Sequence, residues 1–133
     1  MIGILIITHE TLGAAYQSLA RHFFPDAGFE HLRIISVDSC EDHADIIGRA
    51  HTLLAELDSG HGVLILTDIF GATPCNAAMK LVEPGRSVIL TGLNAPMLVK
   101  TLQHAREETR LEHLAQSARD AAVKGIMLFD QAL

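Results

Sequence analysis

The segment GILIITH near the amino terminus constrains the fold more than any other. From Ile2 to Ile7 every residue except Gly3 is aliphatic, and the run stops abruptly at Thr8-His9-Glu10. A strand with one wet face alternates apolar and polar residues. A continuous, largely β-branched run instead suits a strand covered on both faces of a parallel sheet. Val63 to Leu66 repeats the pattern, and shorter runs at His31 to Val37 and Ser87 to Thr91 complete a set of four. Between them lie helix-like segments at Leu12–Phe24, Glu41–Leu57, Thr73 to near Val82 and Pro96–His104, followed by a further helix over Thr109–Lys124.

Strand and helix therefore alternate four times, as in βαβ units joined by right-handed crossovers. The expected fold is α/β: a doubly wound, mainly parallel four-stranded sheet with helices on both faces. The pattern predicts a fifth, short strand at Gly125–Asp130, antiparallel at an edge or exchanged with a second subunit. The expected helix stripes are Leu12, Ala15, Tyr16, Leu19 and Phe23 in the first helix, and Ile46, Ile47, Ala50, Leu53, Leu54 and Leu57 in the second. At 133 residues, with no linker, repeat or low-complexity segment, the chain reads as a single domain, 1–133.

Charge and cysteine usage exclude several function classes. The net charge is −6, and the 10 Lys and Arg residues are scattered, so no basic patch for nucleic acid is expected. An acidic surface suits a basic protein partner. Cys40 and Cys75 are far apart and lack CxxC spacing, which points to a reducing, cytoplasmic setting. The apolar amino-terminal run is too short for a signal-peptide core or a membrane span, so no membrane insertion is expected. His43, His51 and His61 have no carboxylate or Cys spacing that would make a metal site. They read as solvated, as do His22, His31, His104 and His113, and neither metal nor cofactor is expected. Asp38 and Asp42 read as polar residues at a strand end and a helix start.

Chemistry concentrates where strands end. In open α/β sheets, ligands sit beyond the carboxyl ends of the strands, where strand order reverses. Those ends carry Thr8-His9, Asp38-Ser39, Thr67-Asp68 and Asn94-Ala95-Pro96. With strand order 2-1-3-4 the reversal falls between the first and third strands, and His9 and Asp68 flank one crevice. A carboxylate on one imidazole nitrogen fixes the tautomer, raises basicity and leaves the other nitrogen as a nucleophile. After Asp68 come Phe70, Gly71 and Ala72, then a helix start at Thr73-Pro74. Thr is a good N-cap and Pro loses nothing at the first helical position. The small residues Gly71 and Ala72 let backbone amides approach a bound anion, and the helix start favours negative charge. Thr8, Phe70, Asn94 and Pro96 would form the walls. No Gly-rich loop with Lys is present, so a phosphoprotein is a better phosphoryl donor than a nucleotide. The plainer reading remains for each residue: a strand-end surface histidine at His9, a turn acid at Asp68, and a structural cap at Thr73.

At these residues the chain resembles the mannose-family EIIA domains of the bacterial phosphoenolpyruvate-dependent sugar phosphotransferase system. The likeness is carried by THETLG after the first strand, by TDIFGATPCNAA against the family's D-x-x-G-G-[ST]-P-x-N-x-A, and by GLNAPML against G-x-N-x-P-M-L, and it spans essentially the whole chain. It implies a phosphotransferase with a phosphohistidine intermediate. His9 would accept phosphoryl from the carrier protein HPr and pass it to an EIIB partner, Asp68 would orient His9, and the Thr73 hydroxyl would lie beside the phosphoryl group. It also implies a homodimer with an exchanged carboxyl-terminal strand. With no EIIB domain following, the acceptor would be on a separate chain. Alternatives within the resemblance are a regulatory module controlled by His9 phosphorylation, and the phosphotransfer subunit serving dihydroxyacetone kinase. A receiver-like domain phosphorylated on an acid is disfavoured, because the first strand ends in His and not in an acidic pair. Two departures stand out: Ala72 replaces the usual second Gly, and Glu10 follows His9 where Gly is frequent.

Overall fold

Four strands form one sheet: β1 (Gly3–His9), β2 (Leu32–Val37), β3 (Val63–Thr67) and β4 (Ser87–Leu90). The computed structural model describes residues 1–38, 40–69 and 73–132, and only the backbone at Thr73, Pro74 and Cys75. All three strand pairings are parallel and the order is β2-β1-β3-β4, as the sequence pattern implies. β1 and β3 are central. Ile4, Leu5, Ile6, Ile7, Leu64, Ile65 and Leu66 are all fully buried. Burying each such side chain contributes about 1.5–3 kcal/mol, which is why two uninterrupted aliphatic runs end up side by side, in register from Gly3↔Val63 to Ile7↔Thr67.

Helices α1 (Leu12–Phe23), α4 (Ala95–His104) and α5 (Leu111–Lys124) cover one face, packing on Ile4, Ile6, Leu64 and Leu66. Helices α2 (His43–Leu57) and α3 (Thr73–Met79) cover the other, against Leu5, Ile7, Val63 and Ile65. The α2 start is fixed by Asp42, whose carboxylate accepts from the Ala44 amide at 3.2 Å. No helix among the described residues is long and apolar enough to cross a membrane.

Two expectations are corrected, and a third, the fifth strand, is not seen within this chain. The α1 stripe is rotated: Leu12, Ala15 and Phe23 are exposed, while Gly13 and Ala20 are buried and Tyr16, Leu19 and Phe24 pack on the core. The cause is Gly13, where a Cβ would stand 2.5 Å from Ile34 Cγ2 and 2.9 Å from Thr8 Oγ1. The helix approaches the sheet through its smallest residue, a contact that apolar periodicity cannot register. His31 is buried, not solvated, and neither of its ring nitrogens has a hydrogen-bond partner among the described residues. Finally, no strand follows β4 among the described residues. Residues 126–130 run on after α5 outside any sheet, leaving Ile126, Met127, Leu128 and Phe129 between 65% and 90% exposed. Four apolar side chains in water find no surface to cover them within this chain.

Candidate functional site

His9 closes β1 and Asp68 follows β3 by one residue, so the central strand pair delivers both to the same carboxyl edge. The register brings Ile7 opposite Thr67, the last pair between β1 and β3. His9 Nδ1 lies 2.8 Å from Asp68 Oδ2, and the same oxygen accepts from the His9 backbone N–H at 3.0 Å. Asp68 Oδ1 accepts from the Ile69 amide at 2.8 Å. Both carboxylate oxygens are thus engaged. The imidazole is 41% exposed and the Asp68 side chain 7%, so the acid is sheltered behind a ring that faces solvent.

Burial alone pushes the Asp68 carboxyl upward, but the His9 amide, the His9 ring and the Ile69 amide together outweigh it. The group is held below its ordinary value of 3.8 and is a carboxylate at neutral pH. An ionised acid offers no proton, so Nδ1 must be the donor in this pair. In the neutral ring Nε2 then carries the lone pair. The negative charge of Asp68 also reaches Tyr16, whose phenol is raised above its ordinary value first by burial and then by that carboxylate.

The loop after β4 forms the neighbouring rim. Leu93 N–H donates to Thr67 O at 2.9 Å, and the Tyr16 hydroxyl donates to Leu93 O at 3.0 Å. Asn94 caps α4, its Oδ1 accepting from Met97 N–H at 3.0 Å, while its Nδ2 donates to Ala122 O at 3.1 Å at the far end of α5. Pro96 packs directly against Gly125, leaving no space there for a Cβ. Asn94 and Pro96, expected as site walls, lock the loop after β4 to α5. The brace from Tyr16 and the backing by Ala122 and Gly125 were not read from the sequence. Both depend on contacts between segments distant in the chain, and only the polar tip on an otherwise core-facing Tyr16 hinted at the first.

Thr8, expected on the site wall, is fully buried beneath α1 against Gly13, with an unpartnered hydroxyl. Strand alternation explains this: His9 and Thr8 point to opposite faces. Phe70, Gly71 and Ala72 lie outside the described residues. Thr73 opens α3, which packs on β1 and β3. Glu10, immediately after His9, has a positive φ of 48°, a left-handed conformation that costs a non-glycine residue about 1–2 kcal/mol. Among the described residues no group of three or more His, Cys, Asp or Glu side chains is placed to hold a metal.

The chain is similar to known proteins along most of its length. The family model EIIA-man, described as the PTS system fructose IIA component, matches residues 3–119. The fructose-specific EIIA component of Bacillus subtilis is 37% identical over 120 residues, covering 90% of this chain and 80% of that protein. The mannose-specific EIIAB component of Escherichia coli K12 is 32% identical over 87 residues, 65% of this chain, and the match spans only 27% of that longer protein. Among solved structures, the mannose/sorbose-specific IIA subunit from Enterococcus faecalis superposes with a TM-score of 0.82 over 99% of this chain and 97% of its own, at 18% identity. An EIIA component from Streptococcus agalactiae gives 0.79 at 22% identity over 96% of both chains. At such identities these two likenesses concern the fold.

Proposed function

We propose, from the premise that this chain belongs to the EIIA-man family of phosphotransferase-system IIA components, that it is a cytoplasmic phosphocarrier. In this reading His9 accepts a phosphoryl group from phospho-HPr and passes it to an EIIB domain on a separate chain. One observation carries the reading: the 2.8 Å contact from His9 Nδ1 to a sheltered, ionised Asp68, on a ring still open to solvent. In the neutral ring Nε2 is then the nucleophilic atom, on a side chain that is 41% exposed.

Transfer balances without a proton from solvent. The Nε2 lone pair forms the new N–P bond as the bond to the donor imidazole breaks. The donor ring leaves neutral, carrying the bonding electron pair. His9, keeping its Nδ1–H, becomes a phosphorylated imidazolium whose positive charge faces Asp68. Such a reaction asks the protein mainly for positioning and charge stabilisation. The Thr73 hydroxyl and the backbone at Gly71 and Ala72 are proposed to stabilise the phosphoryl oxygens, Phe70 to line the site, and the α3 start to add its dipole.

The apolar tail supports a second element of the proposal, a homodimer. Ile126 to Phe129 are exposed in a single chain, and pairing as an exchanged strand with a partner subunit would remove them from water. Light scattering on the full chain and on a version ending at Lys124 tests this; a dimer that survives the truncation contradicts it.

The main test incubates the chain with phosphoenolpyruvate, enzyme I and HPr. The expected product is acid-labile, base-stable label, lost in His9→Ala and discharged by adding EIIB. Acid-stable label, or label retained by His9→Ala, contradicts the proposal.

A further inference from the structure

The strained residue beside the acceptor histidine has no structural task that explains its side chain. Glu10 is the only non-glycine residue with a positive φ among the described residues, and it is exposed. Its backbone is fixed, since its N–H donates to Val37 O at 2.9 Å and extends the β1–β2 pairing past His9. Its carboxylate enters no hydrogen bond or ion pair among the described residues. The α2 cation Arg49 is paired with Glu41 at 2.7 Å, and α1 begins with no side-chain cap at Thr11 and no acid in its first turn. The Glu10 backbone is therefore fixed one residue, about 3.8 Å between Cα atoms, from His9, and its carboxylate is paired with no cation among the described residues. A glycine would take this conformation without strain, so the acid is held here against the backbone's preference.

We propose that Glu10 sets the transfer potential of His9. Its carboxylate repels a phosphoryl group on Nε2, which makes phospho-His9 a stronger donor, able to pass phosphoryl to acceptors of higher potential. This rests on the phosphocarrier reading above. A phosphoryl group on His9 brings roughly two negative charges to the rim, well within one screening length of Glu10 at low salt. Asp68 cannot play this part, because its charge faces the opposite ring nitrogen and compensates the imidazolium. Glu10 touches no reacting atom and acts only through the field it places on the phosphoryl group.

The test holds the ratio of phosphoenolpyruvate to pyruvate fixed with catalytic enzyme I and HPr, and reads the fraction of His9 phosphorylated at equilibrium. Glu10→Gln keeps the side-chain shape and removes the charge, whereas Glu10→Gly removes both charge and strain. Both should reach half-phosphorylation at a ratio about 2- to 5-fold lower than wild type at ~0.01 M ionic strength, and the gap should close near ~1 M. Glu10→Asp should return the equilibrium to the wild-type side. Three outcomes overturn the proposal: no shift in Glu10→Gln, a shift that persists at high salt, or a shift in Glu10→Gly alone, which would assign the effect to backbone strain. If the wild-type protein takes no label on His9, the phosphocarrier reading itself falls and takes this inference with it. Label that is normal in wild type and unchanged in Glu10→Gln removes only the inference.

Discussion

Two histidines stand at opposite ends of the same strand pair, and their surroundings differ in every respect that matters chemically. His9 ends β1 at the carboxyl edge, half in water, with one nitrogen held by a carboxylate. His31 directly precedes β2 at the amino edge, where its carbonyl accepts from Ile4 N–H at 2.8 Å. Its ring is buried beside a cavity of about 280 Å3 lined by Phe24, Phe29, Leu102 and Arg106, and both its nitrogens lack partners. Burial first and then the Arg106 charge push His31 below the ordinary histidine value of 6.5, while Glu30 pulls the other way and the amino-terminal charge adds the smallest push. One ring faces solvent with a carboxylate on one nitrogen, and the other is buried where its charged form is disfavoured. Residue type therefore says little; the partner and the solvent decide whether an imidazole is a reagent or a piece of core.

The contrast breaks most severely at Asp68. Asp68→Asn keeps the shape but removes the charge that holds the Nδ1–H tautomer and compensates the phosphorylated ring. The rate of His9 phosphorylation by phospho-HPr should fall about 10²-fold or more, with the fold intact by circular dichroism. A smaller effect follows at the adjoining rim. Asn94→Ala deletes the α4 cap and the tie to Ala122, and should destabilise the protein by about 1–2 kcal/mol in urea melts, with phosphorylation slowed less than in Asp68→Asn.

At the other end, His31→Phe removes two unpartnered buried nitrogens and should raise stability by about 1 kcal/mol with no change in phosphorylation. The pH dependence sharpens the same point. His31 resists protonation in the folded state, so the unfolded chain takes up the proton first. Its share of stability is whole above pH 6.5 and is lost as pH falls below that value. His31→Phe should flatten this limb of the denaturation-midpoint profile. Asp68, held below 3.8, keeps its share until the pH falls below that value, so Asp68→Asn should leave the upper limb unaltered and change only the more acidic one. A wild-type profile flat from pH 6.5 down to 4 would contradict the assignment to His31.

The sheet was legible because Ile2–Ile7 and Val63–Leu66 leave no residue for water, which fixes them as central and parallel. The His9–Asp68 pair was legible for a related reason: strand order alone brings the ends of neighbouring central strands together. What escaped depends on contacts that periodicity does not encode. Gly13 rotated α1 through a close approach and not through hydrophobicity. His31 looked polar and was sequestered by aromatic and aliphatic neighbours from three segments. The GIMLFD tail has the composition of a strand, yet a strand needs a pairing edge, and this chain leaves the tail unpaired.

The central claim is that Nε2 of His9 carries phosphorus while Nδ1–H stays on Asp68. Nitrogen-15 NMR of the phosphorylated protein, labelled in histidine, tests it most directly. The expected spectrum shows phosphorus coupling at Nε2 of His9 and a protonated Nδ1. Coupling at Nδ1, or at any other histidine, would contradict it.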